Sequence, residues 1–281
     1  MRAGSVSPAA GAARRPAARL ERGWRVVATG ASFVGFGALA LGCGIALCTL
    51  LPLLERDAAR RAARAQRWMG ALMRCFARLM RALRVLDYEV IGAERLGLPG
   101  ALVVSNHPSL IDAVFLLGAG DGMTCVAKSA LFDHPVLGRA VRSLGFVRND
   151  DPGRMIDACV AALRRGERVL AFPEGGRTAP GATPALSRGA AAIAVRAACP
   201  VLPVTIELSE PTLYRGLPWW RVPRHRPRFR VVVHAPLDAG AYRDEAHNVA
   251  VAGRRLHRHL QQFYTQEAQA TWIRSNARSP S

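Results

Sequence analysis

The chain has 281 residues, half of them hydrophobic, with a formal net charge of +19. That length can bury a sizeable core in one large domain or two small ones, and that apolar content excludes a disordered polyelectrolyte. The charge is concentrated: residues 1–84 carry 15 of the 39 Lys+Arg residues against only Glu21, Glu55 and Asp57. A strongly basic end around an apolar run points to an anionic membrane surface rather than to nucleic acid as partner. The cysteines (Cys43, Cys48, Cys75, Cys125, Cys159 and Cys199) form no CxxC pair and have no histidine at ligand spacing. This argues against a zinc site or a disulfide framework and fits a reducing compartment.

Residues 1–23 are rich in Ala, Gly, Pro and Arg and read as a mobile basic arm. From Val26 to Leu54 there are 29 residues without a charge, more than the ~20 needed to cross the hydrocarbon core, so 24–54 is expected to be a transmembrane or re-entrant membrane segment. Arginines flank it on both sides, so the positive-inside rule does not orient it. A single span and a hairpin broken around Gly42, Gly44 or Pro52 both remain open. In 55–86, Trp68, Leu72, Phe76, Leu79, Leu83 and Leu86 recur at steps of three and four, with Arg60, Arg64, Arg67, Arg74, Arg78 and Arg81 opposite. The spacing predicts an amphipathic helix, either lying in the membrane interface or packed on the domain with a solvated basic face.

From Asp87 onward short apolar runs alternate with helical segments. Strands are predicted at 86–91, 101–105, 123–127, 168–173, 201–207 and 229–234, and helices at 109–118, 135–144, 153–165, 187–198 and 244–264. This alternation predicts an α/β domain over 87–281, with a mainly parallel central sheet flanked by helices.

Two stretches in that domain carry chemistry. In "VVSNHPSLIDAVFL" (103–116) His107 and Asp112 are five apart, which regular helix or strand geometry would not bring together. A strand ending near Ser105, a bend, and a helix starting near Pro108 would do so, letting Asp112 hold one ring nitrogen while the other accepts a proton. No G-x-S-x-G elbow supplies a protein nucleophile, so the hydroxyl would belong to the substrate. In "VLAFPEGGRT" (169–178) a buried strand ends in a glycine turn that carries Glu174 and Arg177, at the kind of strand end where α/β sheets bind ligands.

N-H-x-x-x-x-D followed roughly sixty residues later by F-P-E-G-x-R-[ST], and then by V-x-P-V, resembles the glycerophospholipid acyltransferases, in particular the 1-acylglycerol-3-phosphate acyltransferases, over roughly 85–210. The resemblance implies His107 as general base, Asp112 as its orienting partner, and Glu174, Gly175 and Arg177 as an acceptor-phosphate loop. It also implies an acyl-site role for Val201 and Pro203, and makes Lys128 an anion contact. "LGFVRNDD" (144–151) matches a further phosphate-binding element at Gly145, Phe146 and Asp150, but Asp151 stands where the family has arginine, leaving Arg148 or Arg154 to substitute. Gly176 stands where threonine is usual. The implied reaction moves an acyl group from acyl-CoA or acyl-carrier protein to a lysophospholipid hydroxyl, with no metal or bound cofactor. The expected setting is the cytoplasmic face of the inner membrane. Another acceptor, such as a lyso-ornithine lipid, and a membrane-anchored binding protein without turnover are the rival readings.

In "YRGLPWWRVPRHRPRFR" (214–230), Trp219 and Trp220 lie among arginines, which suits a membrane- or donor-facing loop better than single-stranded nucleic acid. His225, His234, His247, His257 and His259 are expected at the surface, and Leu256, Leu260 and Phe263 in the core.

Overall fold

The computed structural model describes residues 9–120, 122–135, 137–178, 182–246 and 248–277. The elements run α1 (Ala9–Leu54), α2 (Ala58–Ala82), β1 (Asp87–Ile91), β2 (Leu102–Ser105), α3 (Asp112–Ala119), β3 (Met123–Ala127), α4 (Ser129–Phe132) and α5 (Leu137–Ser143). They continue with β4 (Val147–Arg148), α6 (Pro152–Arg164), β5 (Arg168–Ala171), α7 (Gly189–Ala197), β6 (Pro200–Leu208), β7 (Arg228–Val233), β8 (Leu237–Asp238), α8 (Ala239–Ala246) and α9 (Val249–Ala277).

The sheet order is β1-β7-β6-β2-β5-β3-β4, with β8 beside β6. β2, β5, β3 and β4 run parallel, as do β2 with β6 and β1 with β7. Only β6–β7 and β6–β8 are antiparallel. The expectation of a mainly parallel sheet is met. The two-residue strands β4 and β8 escape sequence reading because no periodicity can be established over so short a run.

Two cores form, one on each face. On one, Phe76, Ala77 and Met80 of α2 and Phe115 and Leu116 of α3 cover Val103, Leu170 and Val204. On the other, α6, α7 and α9 cover Leu102, Val104, Val169 and Val201. Leu256 and Leu260 are buried there, as expected, with Phe263 packed against them. Tyr264 of α9 reaches through to the centre of the sheet, where its hydroxyl donates to Val104 O at 2.6 Å and accepts from Val204 N at 3.2 Å. Tyr264→Phe leaves buried backbone groups of two strands without this partner. It is expected to cost about 1–3 kcal/mol, read as a lower thermal midpoint.

The N-terminal segments depart from expectation. Residues 1–8 of the basic arm lie outside the described residues; from Ala9 the chain is helical, and α1 continues to Leu54 without a break at Gly42, Gly44 or Pro52. Its 36-residue stretch Arg19–Leu54 is long and apolar enough to cross a membrane. One face of α1 is docked on the domain. Phe33 and Phe36 stack on Phe76, Leu47 and Leu51 are buried with Leu144, and Trp24 donates to Leu83 O at 2.9 Å. The other face exposes Val27, Val34, Leu39, Leu41, Ile45, Leu50 and Leu53.

Much of the apolar side of α2, with Phe76, Ala77 and Met80, packs on α1, α3 and the sheet, while Leu79 of the same stripe stays exposed. Helical periodicity reveals that a face is buried, not what buries it.

Candidate active site

The local folding of 105–112 places the central pair. β2 stops at Ser105, and the Asn106 side chain continues its pairing with β6: Oδ1 accepts from Ile206 N at 2.7 Å and Nδ2 donates to Ile206 O at 3.0 Å. The chain then bends, and helix α3 begins at Asp112, three residues later than predicted. Residues 109–111 form a turn because the Asp112 carboxylate takes the Ser109 N–H at 2.6 Å. The same oxygen lies 2.9 Å from His107 Nδ1. His107 and Asp112 are thus joined through Nδ1, and among the described residues Nε2 of the ring has no hydrogen-bond partner.

Asp112 is fully buried, whereas the His107 side chain is 19% exposed. The ring stacks on Phe172 with centroids 4.3 Å apart. Burial pushes the Asp112 carboxyl up to about 6, against the opposing pull of His107, the Ser109 N–H and Arg177. Its Oδ1 is buried with no partner, so the carboxylate depends heavily on the imidazole for compensation.

The β2–β5 register supplies the next contact. Leu102 pairs with Val169 and Val104 with Ala171, and extending that alignment past both strand ends sets His107 beside Glu174. Glu174 Oε1 accepts the His107 N–H at 2.9 Å, Thr178 donates its hydroxyl to Oε2, and Thr178 N donates to His107 O at 3.0 Å. Both carboxylate oxygens are therefore occupied. Burial pushes this carboxyl up to about 7. Glu174 thus braces the histidine's backbone from within the loop that also carries Gly175 and Arg177. Glu174→Ala is expected to lower kcat about tenfold, because small displacements of a base are costly. Glu174→Gln, which can still accept from His107 N and bond Thr178, should retain most of the rate in the same assay.

Gly175 has φ +67°, a backbone state that a side chain would strain. Arg177 is half-buried and donates from Nη1 to Leu213 O at 2.9 Å. That carbonyl also accepts from Leu110 N at 3.0 Å, so the arginine and the turn after His107 share one anchor. Leu213 is held in the left-handed region at φ +52°. Nothing in its residue type marked it, and only the packing shows its place.

Lys128 is exposed at the end of β3, which the register with β5 brings to the same sheet edge. Arg148 lies at the end of β4 but is held by other charges: it pairs with Asp133 at 2.8 Å and also with Asp150. Arg154 pairs with Asp151, and Asp151 itself caps α6 by accepting Arg154 N at 3.0 Å. These are exposed surface pairs, and each places its arginine against a carboxylate in the described structure. Val201 and Pro203 are both buried inside β6, Val201 on the α7–α9 side, so neither is an exposed wall for an acyl chain. The edge of the parallel core thus gathers His107, Asp112, Glu174 and Arg177, with Lys128 nearby and Arg148 committed elsewhere.

Of the histidines expected at the surface, His234 is half-buried and bonded to Thr205 Oγ1 at 2.9 Å, while His225 and His259 meet Glu210 and Tyr242. His247 lies outside the described residues. Among the described residues, no cluster of His, Cys, Asp or Glu is placed to hold a metal ion.

Residues 87–207 match the family model described as Acyltransferase. A chloroplastic 1-acyl-sn-glycerol-3-phosphate acyltransferase of Brassica napus is 31% identical over 156 residues, covering 52% of this chain and 44% of the relative. The 1-acyl-sn-glycerol-3-phosphate acyltransferase of Pseudomonas aeruginosa is 33% identical over 135 residues, covering 45% of this chain and 51% of the relative. The chain spans about half the length of the curated relatives it matches. The crystal structure of the 1-acyl-sn-glycerophosphate acyltransferase PlsC from Thermotoga maritima superposes with a TM-score of 0.67 at 20% identity, covering 94% of this chain and 100% of that one, and so shares its fold. Residues 87–207 thus match the Acyltransferase family model and are similar in sequence to 1-acyl-sn-glycerol-3-phosphate acyltransferases, in a chain with the PlsC fold.

Proposed function

We propose that the chain transfers a fatty acyl group from a thioester donor, acyl-CoA or acyl-carrier protein, to the free hydroxyl of 1-acylglycerol 3-phosphate, yielding phosphatidic acid. The observation that carries this reading is the His107–Asp112 pair at 2.9 Å, with Arg177 anchored beside the same turn. The activities in the relatives' names agree with it.

Nε2 of His107 takes the proton of the acceptor hydroxyl as that oxygen attacks the thioester carbonyl. The Asp112 carboxylate stabilises the imidazolium that forms. Collapse of the tetrahedral intermediate breaks the carbon–sulfur bond, and the proton held on Nε2 passes to the departing thiolate. Arg177 holds the acceptor phosphate, which makes the attack effectively intramolecular. The exposed apolar face of α1 anchors the chain in the membrane, where acceptor and product reside. A full crossing by α1 would require its docked face to leave the domain. The catalytic edge faces the cytoplasm, where thioester donors are made.

The test is to incubate membranes holding the protein with labelled acyl-CoA or acyl-carrier protein and a panel of lyso-lipids. Labelled phosphatidic acid is the expected product. Labelling of a lyso-ornithine lipid in its place would move the reading to the second acceptor, which Asp151 and Gly176 favour as departures from the family pattern. No labelled lipid with any acceptor would leave the non-catalytic binding protein.

A further inference from the structure

The loop between β6 and β7 is fastened on every side. Ser109 Oγ donates to Thr212 O at 3.0 Å, and Arg177 donates to Leu213 O. The Trp219 ring lies over Gly30 of α1, 3.0 Å from where a Cβ would stand, so a side chain at 30 would meet it. Buried Arg25 of α1 donates to Arg224 O at 2.6 Å, and Arg226 donates to Leu86 O. A surface loop tied down in this way holds its backbone in a defined position.

One of those side chains is Arg215. It is exposed, and among the described residues it has no hydrogen bond or ion pair. Its Nη1 lies 3.8 Å from the Cβ position of Gly176. The guanidinium therefore sits over the glycine pair that precedes Arg177, in space that a larger side chain at 176 would contest. A phosphate monoester carries close to two negative charges at neutral pH, and buried Asp112 adds a nearby negative charge. Arg177 alone, with one nitrogen already given to Leu213 O, does not balance them. Arg148 and Arg154 are held by Asp133, Asp150 and Asp151.

We propose that Arg215 is a second guanidinium ligand of the acceptor phosphate, lying over Gly176 and acting with Arg177. It selects acceptors that bear a phosphate monoester. The inference rests on the proposed function and names a residue of the same site. The absent side chain at 176 and the uncommitted arginine above it are complementary: the glycine leaves room for the guanidinium to approach the ligand. The fastened loop means that little backbone ordering entropy is lost when it does, leaving the side-chain rotamers as the main cost.

The experiment compares full-length wild type, Arg215→Ala, Arg215→Lys and Gly176→Thr with 1-acylglycerol 3-phosphate in neutral detergent micelles. Arg215→Ala is expected to raise the acceptor KM about tenfold, the loss of one partly exposed charge-assisted contact, with kcat, donor KM and thermal midpoint unchanged. Competitive inhibition by inorganic phosphate should weaken in parallel. Lysine should fall between, because it keeps the charge without the planar fork. Gly176→Thr should raise the acceptor KM in the wild-type background and add little in Arg215→Ala, as expected for two changes acting on one contact. An unchanged acceptor KM in Arg215→Ala overturns the proposal. So does an effect seen only on anionic vesicles and not in neutral micelles, since the arginine would then be reading bulk lipid headgroups. Wild type that cannot acylate 1-acylglycerol 3-phosphate removes the proposed function and this inference together, whereas an active wild type with an unaltered variant removes only the inference.

Discussion

His107→Ala is expected to lower kcat by about 10²- to 10⁴-fold, the usual range for loss of a positioned general base. The ring's Nδ1 is taken by Asp112 and its face by Phe172, so Nε2 is the atom left for an acceptor hydroxyl. Nothing else described at this sheet edge duplicates that arrangement. The Glu174 carboxylate is turned toward the histidine's backbone. The backbone bonds of residue 107 to Glu174 and Thr178 survive truncation, so membrane association should stay close to wild type, whereas the thermal midpoint should fall because the buried Asp112 carboxylate loses its imidazole partner. A single-turnover assay with labelled donor, run beside membrane flotation, separates chemistry from targeting. Wild-type turnover in the variant would remove the mechanism.

Asp112→Asn is expected to be nearly as damaging, with at least about a hundredfold loss in kcat, because a neutral amide cannot stabilise the imidazolium. Its stability should behave in the opposite sense. The Asp112 carboxyl titrates at about 6 in the fold against an ordinary 3.8. Between those values the native state holds a proton that the unfolded chain has released, so this group's contribution is full at low pH and is lost as pH rises through about 6. The shift of about two units corresponds to about 3 kcal/mol. Thermal unfolding from pH 4 to pH 7 should therefore show wild type losing stability relative to Asp112→Asn, a change to which Glu174 also contributes because the Asp112 charge helps to raise its carboxyl. A stability difference that is flat or of opposite sign across that window would contradict the burial argument. Activity of the wild type should fall as pH drops through about 6, when Asp112 takes up its proton and ceases to support the ring.

The parts of the site that could be read from the chain are local. His107, Pro108 and Asp112 lie within one turn, so strand end, bend and helix start follow from neighbouring residues, and the predicted bend is three residues from the observed helix boundary. The position of Arg177 in the loop after β5 was legible because a glycine turn follows a buried strand there, whereas its bond to Leu213 O was not. The bond from His107 N to Glu174 was not legible, because it is fixed by the β2–β5 register, a pairing between residues 67 apart in the chain. Leu213 carried no signal, and Arg215 was read only as one arginine of a membrane- or donor-facing loop: their places come from a loop docked on α1 and on the turn after His107.

Composition and periodicity by themselves determined that the chain has a long apolar basic-flanked segment, an amphipathic helix and an α/β domain with a mainly parallel sheet, because each of these depends on residues close in sequence. Tertiary structure alone decided that α2 lies against the domain, that α1 is one uninterrupted docked helix, that Arg148 is neutralised by two carboxylates, and that Glu174 faces inward to the histidine. Each of those outcomes is a choice among partners far apart in the chain, and burial, strand register and charge pairing make that choice only when the whole core has formed.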